Sequence, residues 1–368
     1  MPINIKSINV GDGDALVITL TKGKLTKVVL IDGGDKDSEI TEKVLKVLKE
    51  TLDRCKKDGP DLVVCTHYDR DHIWGLIQIA EKYEGKIGEC WMHMPSEGYT
   101  QKITILKETL SHIESVGEGM NWDTMAPSYK IKNNPLIAEQ VNFLIESFDD
   151  MKRLKAALGK TKITEPFAET NTCLSDFPEF KVVAPSEAFY KQYLPKEKTK
   201  IVPSQLLDVL TINPDIEIIT EATKAKTACE QLPATSKGAV TPVNLVSIII
   251  EYTEDNKKYL FTGDAGIESF KHLANYKALF ADLHFMTVPH HGSRHNISTE
   301  LIEIFKAKTA FVSAAGKEES GSIKRPHAAV LGCYHDKGTK IYKTQDAAEY
   351  LEFDENGAVS HDGGKKFS

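Results

Sequence analysis

The sequence predicts an α/β protein whose successive strands carry metal-ligand side chains to one edge. Three observations predict it. Short apolar runs rich in Val, Ile and Leu alternate with an amphipathic stretch of helical period, as in a β-α-β unit. The run Leu62-Val63-Val64-Cys65 leads into Thr66-His67-Tyr68-Asp69-Arg70-Asp71-His72-Ile73-Trp74-Gly75, which packs two histidines and two aspartates into six residues. Two later apolar runs also end in ligand-type residues, at Asp264 and at His290-His291. Imidazole and carboxylate are common ligands for zinc, manganese and iron. Chemistry collects at the C-terminal ends of strands in α/β proteins.

Taken in order, Ile3, Ile5 and Ile8 open a strand, and Leu16, Ile18 and Leu20 alternate in a second. The glycines and aspartates of Val10-Gly11-Asp12-Gly13-Asp14-Ala15 between them read as a tight turn. Residues 28 to 31 form a buried strand that ends in Asp32-Gly33-Gly34-Asp35. Asp32 there serves either to stabilise a turn or to line a site. Ser38 to Lys57 carries Val44, Leu45, Leu48 and Leu52 at helical spacing and is closed by Gly59-Pro60, so it predicts a helix with a core-facing stripe. Strand, helix and strand then deliver His67 to a strand end. Residues 95 to 165 read mainly as helix, best from Leu136 to Leu158, with His93 before them as a packing histidine. Phe180 to Ala184 reads as a strand, and 195 to 243 as an irregular insertion whose Lys196–Lys200 cluster is a solvated face. Asn244 to Tyr252 and Lys258 to Thr262 read as a hairpin ending in Gly263-Asp264, and Leu283 to Val288 as a strand running into Pro289-His290-His291-Gly292-Ser293.

At 368 residues the chain can bury a sizeable core. A net charge of −7 argues against a long electrostatic footprint on duplex nucleic acid, though not against a phosphate drawn to a metal. The six cysteines include no CxxC pair, which predicts reduced core thiols and a cytoplasmic protein. The N-terminus lacks the apolar core of a signal peptide, and no apolar run is long enough to span a bilayer.

The order Asp-Gly-Gly at 32–34, HxDxDH at 67–72, Gly263-Asp264 and Pro289-His290-His291-Gly292-Ser293 resembles the metallo-β-lactamase fold. More narrowly, it resembles the soluble hydrolase domain of the ComEC/Rec2 competence proteins. Val10 to Ala15 is similar to that group's VGxGDA opening, and Asn244 to Asp264 to its NxxS…LFTGD block. Arg325-Pro326-His327 followed by Ile341-Tyr342-Lys343-Thr344 is similar to its closing loop and last strand. The resemblance implies an α/β four-layer αβ/βα sandwich. Residues 1–368 then form a single domain with insertions at about 95–170 and 195–243. It also implies a centre of two divalent ions, zinc or manganese. By position, His67, Asp69, Asp71, His72, Asp264 and His290 or His291 match the ligands. Asp69 stands where the wider family pattern has histidine, and a further histidine expected before Gly263-Asp264 has no evident counterpart. Both departures make the site richer in oxygen and favour manganese by ligand type.

Two such ions, about 3.5–4 Å apart, can share a hydroxide and polarise a phosphoryl or acyl oxygen. Asp71 is then both ligand and catalytic residue, orienting the hydroxide or passing a proton to the leaving group. His327 either contacts a substrate oxyanion or packs beside Pro326. His291 and His295, like Asp32, are candidates to support the ligands or touch substrate. Tyr68 and Arg70 should point away from the ions. The expectation is a metal-dependent phosphodiesterase or nuclease acting on a phosphodiester or nucleic acid. The alternatives are a hydrolase of a lactone, thioester or lactam, and a signalling protein without turnover. No protein partner is named by the sequence.

Overall fold

The computed structural model describes residues 2–94, 97–115, 135–194, 227–236, 239–315, 325–363 and 365–366. Much of the expected insertion at 195–243, its lysine cluster included, and residues 316–322 lie outside the described residues. The first sheet begins with β1 (Ile3–Ile8), β2 (Leu16–Lys22), β3 (Leu25–Ile31), β4 (Leu62–Val64), β5 (Glu89–Trp91) and β6 (Lys162–Thr164). A second sheet holds β7 (Cys173–Leu174), β8 (Phe177–Ala184), β9 (Ile249–Glu254), β10 (Lys257–Phe261), β11 (Phe285–Thr287), β12 (Thr309–Val312) and β13 (Lys340–Lys343). The chain then returns to the first sheet through β14 (Tyr350–Phe353), β15 (Val359–His361) and β16 (Lys365–Lys366). Ile341–Thr344 is therefore not the last strand, as the resemblance implied; β14 pairs with β1 and closes that edge.

Each sheet changes character at one strand. The first is antiparallel up to β3 and parallel from β3 to β6. The second is antiparallel up to β10 and parallel from β10 to β13. Asp32 follows the switch strand of the first sheet, and Gly263-Asp264 follow that of the second. A backbone bond joins the two ends, Ile248 N donating to Thr66 O at 2.9 Å, and within the second sheet's end His290 N donates to Gly263 O at 3.2 Å.

Three apolar cores separate four layers. One lies between the first sheet and helices α1 (Ser38–Cys55), α2 (Arg70–Lys82), α3 (Glu97–Ser115) and α4 (Pro135–Leu158). Asp37 starts α1 by accepting from the backbone N–H of Glu39 and Ile40, and Lys56 in the left-handed conformation ends it. A second core joins the sheets, with Phe285 packed edge-on to Phe311 at 4.9 Å and against Phe353 at 4.8 Å. The third covers the far face of the second sheet with short helices that include Thr299–Phe305 and Ala328–Asp336. The four-layer α/β expectation is thus met.

Two local expectations are corrected. Asn244 and Leu245 are not strand: Thr241 caps the helical turn Pro242–Leu245, and β9 begins at Ile249. Proline at the first helical position suits that turn, because its missing N–H has no partner to lose there. Cys229 and Cys333, expected as reduced thiols, form a disulfide across a sequence separation of 104. Spacing cannot reveal such a pair, because only the tertiary fold brings the two together. Cys65 and Cys90 are buried thiols, whereas Cys173 is exposed. The bond removes one support for a cytoplasmic setting, since disulfides persist chiefly in oxidising compartments. No described helix is long and apolar enough to cross a membrane.

Candidate metal centre

The cluster HxDxDH falls where β4 passes into α2. Asp69 is the residue before the first helical turn, yet its side chain makes no capping hydrogen bond. Its carboxylate faces His67 instead, with Oδ2 3.7 Å from His67 Nε2. Asp71 and His72 occupy the first turn of α2 and point to the same space. From the other sheet, Asp264 enters at the end of β10 and the His290-His291 pair at the end of β11. Both histidines have positive φ, 49° and 54°, which is uncommon outside glycine.

Asp264 lies between two sets of side chains. Its Oδ2 is 3.7 Å from His67 Nε2 and 3.4 Å from His290 Nε2. Its Oδ1 is 3.1 Å from His72 Nε2 and 3.5 Å from His291 Nε2. Asp71 Oδ2 joins the second set, 3.3 Å from His291 Nε2. Ligand atoms of Asp14, His72, Asp264 and His291 all lie within 4.8 Å of one another. His290 and His291 face opposite oxygens of the central carboxylate.

Asp14 joins the cluster although the sequence presents it only as part of a turn. It arrives on the loop between β1 and β2, where Ser313 Oγ donates to Gly13 O at 2.6 Å and Gly34 N donates to Asp14 O at 2.9 Å. Gly13 has φ 111°, and a Cβ there would sit 2.2 Å from Asp71 O, so only glycine lets this loop approach α2. The signal is present in Val10 to Ala15, whose glycines flank acidic residues.

Outside the cluster, partners fix each imidazole. Asp32, fully buried with φ 56°, accepts from Thr66 N at 2.8 Å and Thr66 Oγ1 at 2.6 Å, and from His72 Nδ1 at 2.8 Å. Thr66 Oγ1 in turn accepts from His67 Nδ1 at 3.0 Å. His291 Nδ1 donates to Ser313 O at 2.9 Å. His290 Nδ1 donates to Asn296 Oδ1 at 2.9 Å, since the Asn296 amide is used on Asp264 O. Every Nδ1 thus meets an acceptor, which turns each Nε2 lone pair toward Asp264.

His67 Nε2, His72 Nε2, His291 Nε2 and Asp264 Oδ1 are buried without a hydrogen-bond partner. Buried polar atoms are rarely left so unless an ion or water serves them. The donor set of imidazole and carboxylate, with orphaned atoms aimed at one another, fits divalent ions.

Charge follows the same division. Burial pushes His67 down to about 4 and His290 down to about 3, so both are neutral near pH 7. Burial opposes charge on His291 too, but Asp264, Asp71 and Asp14 together raise it to about 9. Against the same burial penalty, His72 is raised by Asp264, Asp71 and Asp32. Burial raises Asp14 to about 6, and raises Asp69 well above the usual carboxylate range with Asp71 and Asp264 adding to it. Ligand binding requires these histidines to lose their protons.

The remaining predicted residues lie further out. His327 caps the helix Ala328–Asp336, its Nδ1 accepting from Ala329 N at 3.1 Å, and its backbone N–H donates to Gly292 O at 3.0 Å. His295 Nε2 accepts from Arg294 Nε at 3.2 Å. Arg70 pairs with Glu146, away from the cluster. His93 packs against Tyr190 and Phe167 with ring centroids 4.5 and 5.0 Å away. Beside the cluster, His67 shares the wall of a small pocket with Cys65, Tyr68, His93, Val243 and Val246.

A family model, the metallo-beta-lactamase superfamily, matches residues 8–157. That stretch holds Asp14, Asp32 and the HxDxDH cluster, but not Asp264 or the His290-His291 pair. No curated protein matches the chain. Among solved structures, similarity extends to a mutant of the CmlA beta-hydroxylase at 12% identity and TM-score 0.39, covering 92% of this chain and 52% of that one. The chain thus spans about half the length of that protein. The metallo-beta-lactamase fold protein YhfI from Bacillus subtilis matches at 10% identity and TM-score 0.40, covering 93% of this chain and 96% of that one. Zn(2+)-bound PqqB from Methylobacterium extorquens matches at 10% identity and TM-score 0.39, with 92% and 86% covered. The family match and the two facing sheets with helices outside them give this chain the fold of the metallo-β-lactamase superfamily.

Proposed function

We propose that the chain is a two-metal hydrolase that cleaves phosphodiesters. The observation that carries this reading is the position of Asp264, with each carboxylate oxygen facing its own pair of histidines. His67, Asp69, His290 and Asp264 Oδ2 would hold one ion. Asp14, Asp71, His72, His291 and Asp264 Oδ1 would hold the other. Divalent ions bound there would supply Lewis acidity and an acidified water.

The chain's own groups do the rest. Asp32 and Thr66 orient His72 and His67. Asp71 has a side chain 22% exposed, against 0–2% for His72, His291 and Asp264, and so forms the open side of the cluster. From there its carboxylate can align the attacking water and carry a proton to the leaving group. Burial opposes ionisation of Asp71, but His72 and His291 hold it below the usual carboxylate range, so it enters as the base. Manganese suits this set of four carboxylates and four imidazoles better than a thiolate-seeking metal would.

A substrate panel tests the proposal. The manganese-loaded chain should cleave an aryl phosphodiester or single-stranded DNA, and Asp71→Asn should reduce turnover by roughly 10²–10⁴, the range for a positioned acid or base. Turnover of a lactone, thioester or lactam with phosphodiesters left intact would replace this reading.

A further inference from the structure

We infer that Arg325 holds the anionic group of the substrate and so selects phosphate esters over neutral esters at this centre. The inference rests on the two-metal reading and deepens it. Four carboxylates, those of Asp14, Asp69, Asp71 and Asp264, converge on the cluster. That is enough negative charge to balance two divalent ions. A centre so balanced has little surplus positive charge with which to attract an anion, unlike one built on neutral imidazoles alone. A phosphodiester therefore needs a cation from elsewhere at the open side.

Arg325 is placed to be that cation. It directly precedes Pro326, which packs against Gly292, the residue that follows the His290-His291 pair. His290, with a side chain 14% exposed, and Asp71 are the members of the cluster most open to solvent. The segment is anchored there by its neighbours. A Cβ on Gly292 would lie 2.7 Å from Pro326 Cβ, and His327 N donates to Gly292 O at 3.0 Å. The same residue, Gly292, directly follows His291, so the backbone beside Arg325 is tied to the loop that carries both histidines. Arg325 itself is partly exposed. A guanidinium is suited to the task, because its planar fork can engage two phosphate oxygens at once.

The test is binding of inorganic phosphate to the manganese-loaded full chain, with metal content measured on the same samples. Arg325→Gln should bind phosphate roughly 10- to 100-fold more weakly, the scale of one charge-assisted hydrogen bond, and should keep its metal. Arg325→Lys should recover part of that loss. In kinetics, KM for an aryl phosphodiester should rise in Arg325→Gln by more than kcat falls. Unchanged phosphate affinity with metal retained overturns the inference, as does a wild-type chain that binds no phosphate. Loss of metal from Arg325→Gln also overturns it, and makes Arg325 a charge partner of Asp69. Phosphate binding needs no turnover, so a chain that cleaves no phosphodiester would refute the proposed function, while the phosphate titration would still decide the role of Arg325.

Discussion

Asp32→Asn separates a ligand-orienting carboxylate from a merely structural one. The replacement is close to isosteric, and asparagine tolerates the left-handed backbone at φ 56°, so the chain path should survive. What changes is hydrogen bonding. The carboxylate accepts three bonds, from Thr66 N, Thr66 Oγ1 and His72 Nδ1, at 2.6 to 2.8 Å. An amide offers one acceptor oxygen, so if that oxygen serves Thr66 N, its NH2 faces His72 Nδ1. The favoured response is the other imidazole tautomer, which places a proton on Nε2, the atom directed at Asp264. Loss of such a supporting partner costs about 10- to 100-fold in metal affinity, or about 1.4–2.7 kcal/mol. Competition against a chromophoric chelator measures this, with chemical denaturation of the metal-free chain as the control for folding. The loss should be larger at the site containing His72 than at the one containing His67. Metal affinities unchanged at both sites, in a folded variant, would refute the orienting role.

Other perturbations probe neighbouring contacts. Gly75→Ala places a Cβ 1.8 Å from Gly33 O, so α2 must withdraw from the end of β3; overpacking of this kind costs about 1–3 kcal/mol, and an unchanged denaturation midpoint would contradict the contact. His327→Ala removes a helix cap and should cost about 0.5–2 kcal/mol of stability with metal content unaltered. A drop in turnover of about 10²–10³ without loss of stability would instead assign it an oxyanion contact. His272 stacks on Phe189 at 4.0 Å and accepts from Ser186 N at 3.1 Å, and burial lowers its pKa. On acidification the unfolded chain therefore binds the proton first, so this contribution is present above the ordinary histidine pKa of about 6.5 and fades as pH falls below it. The loss of stability between about pH 7.5 and 5.5 should shrink in His272→Gln, and an identical pH slope would count against it.

The parts of the site legible in the sequence are those written locally. His67, Asp69, Asp71 and His72 sit within six residues at a strand-to-helix junction, and the apolar run before them marks that junction without any long-range knowledge. The helix α1 is equally legible from its apolar spacing. Contributions that depend on distant chain meeting are not. Asp14 belongs to the cluster because Gly13 lets its loop press against Asp71 and because Ser313 holds that loop from the other sheet. The pairing of His290 and His291 with opposite oxygens of Asp264 depends on two consecutive left-handed residues, which a motif cannot display. Asn244 reads as strand because apolar residues follow it, whereas the Thr241 cap wins locally and sends the Asn244 amide to Asp264 at 3.3 Å.

The most direct measurement is elemental analysis of the purified chain after incubation with manganese or zinc and removal of excess ion. Asp264 lies between two sets of ligands, so close to two ions per chain are expected. Asp264→Ala should lose at least one of them while retaining the native fold by circular dichroism. Wild-type protein that holds no ion after either incubation, or an Asp264→Ala variant that still holds two, would contradict the central claim.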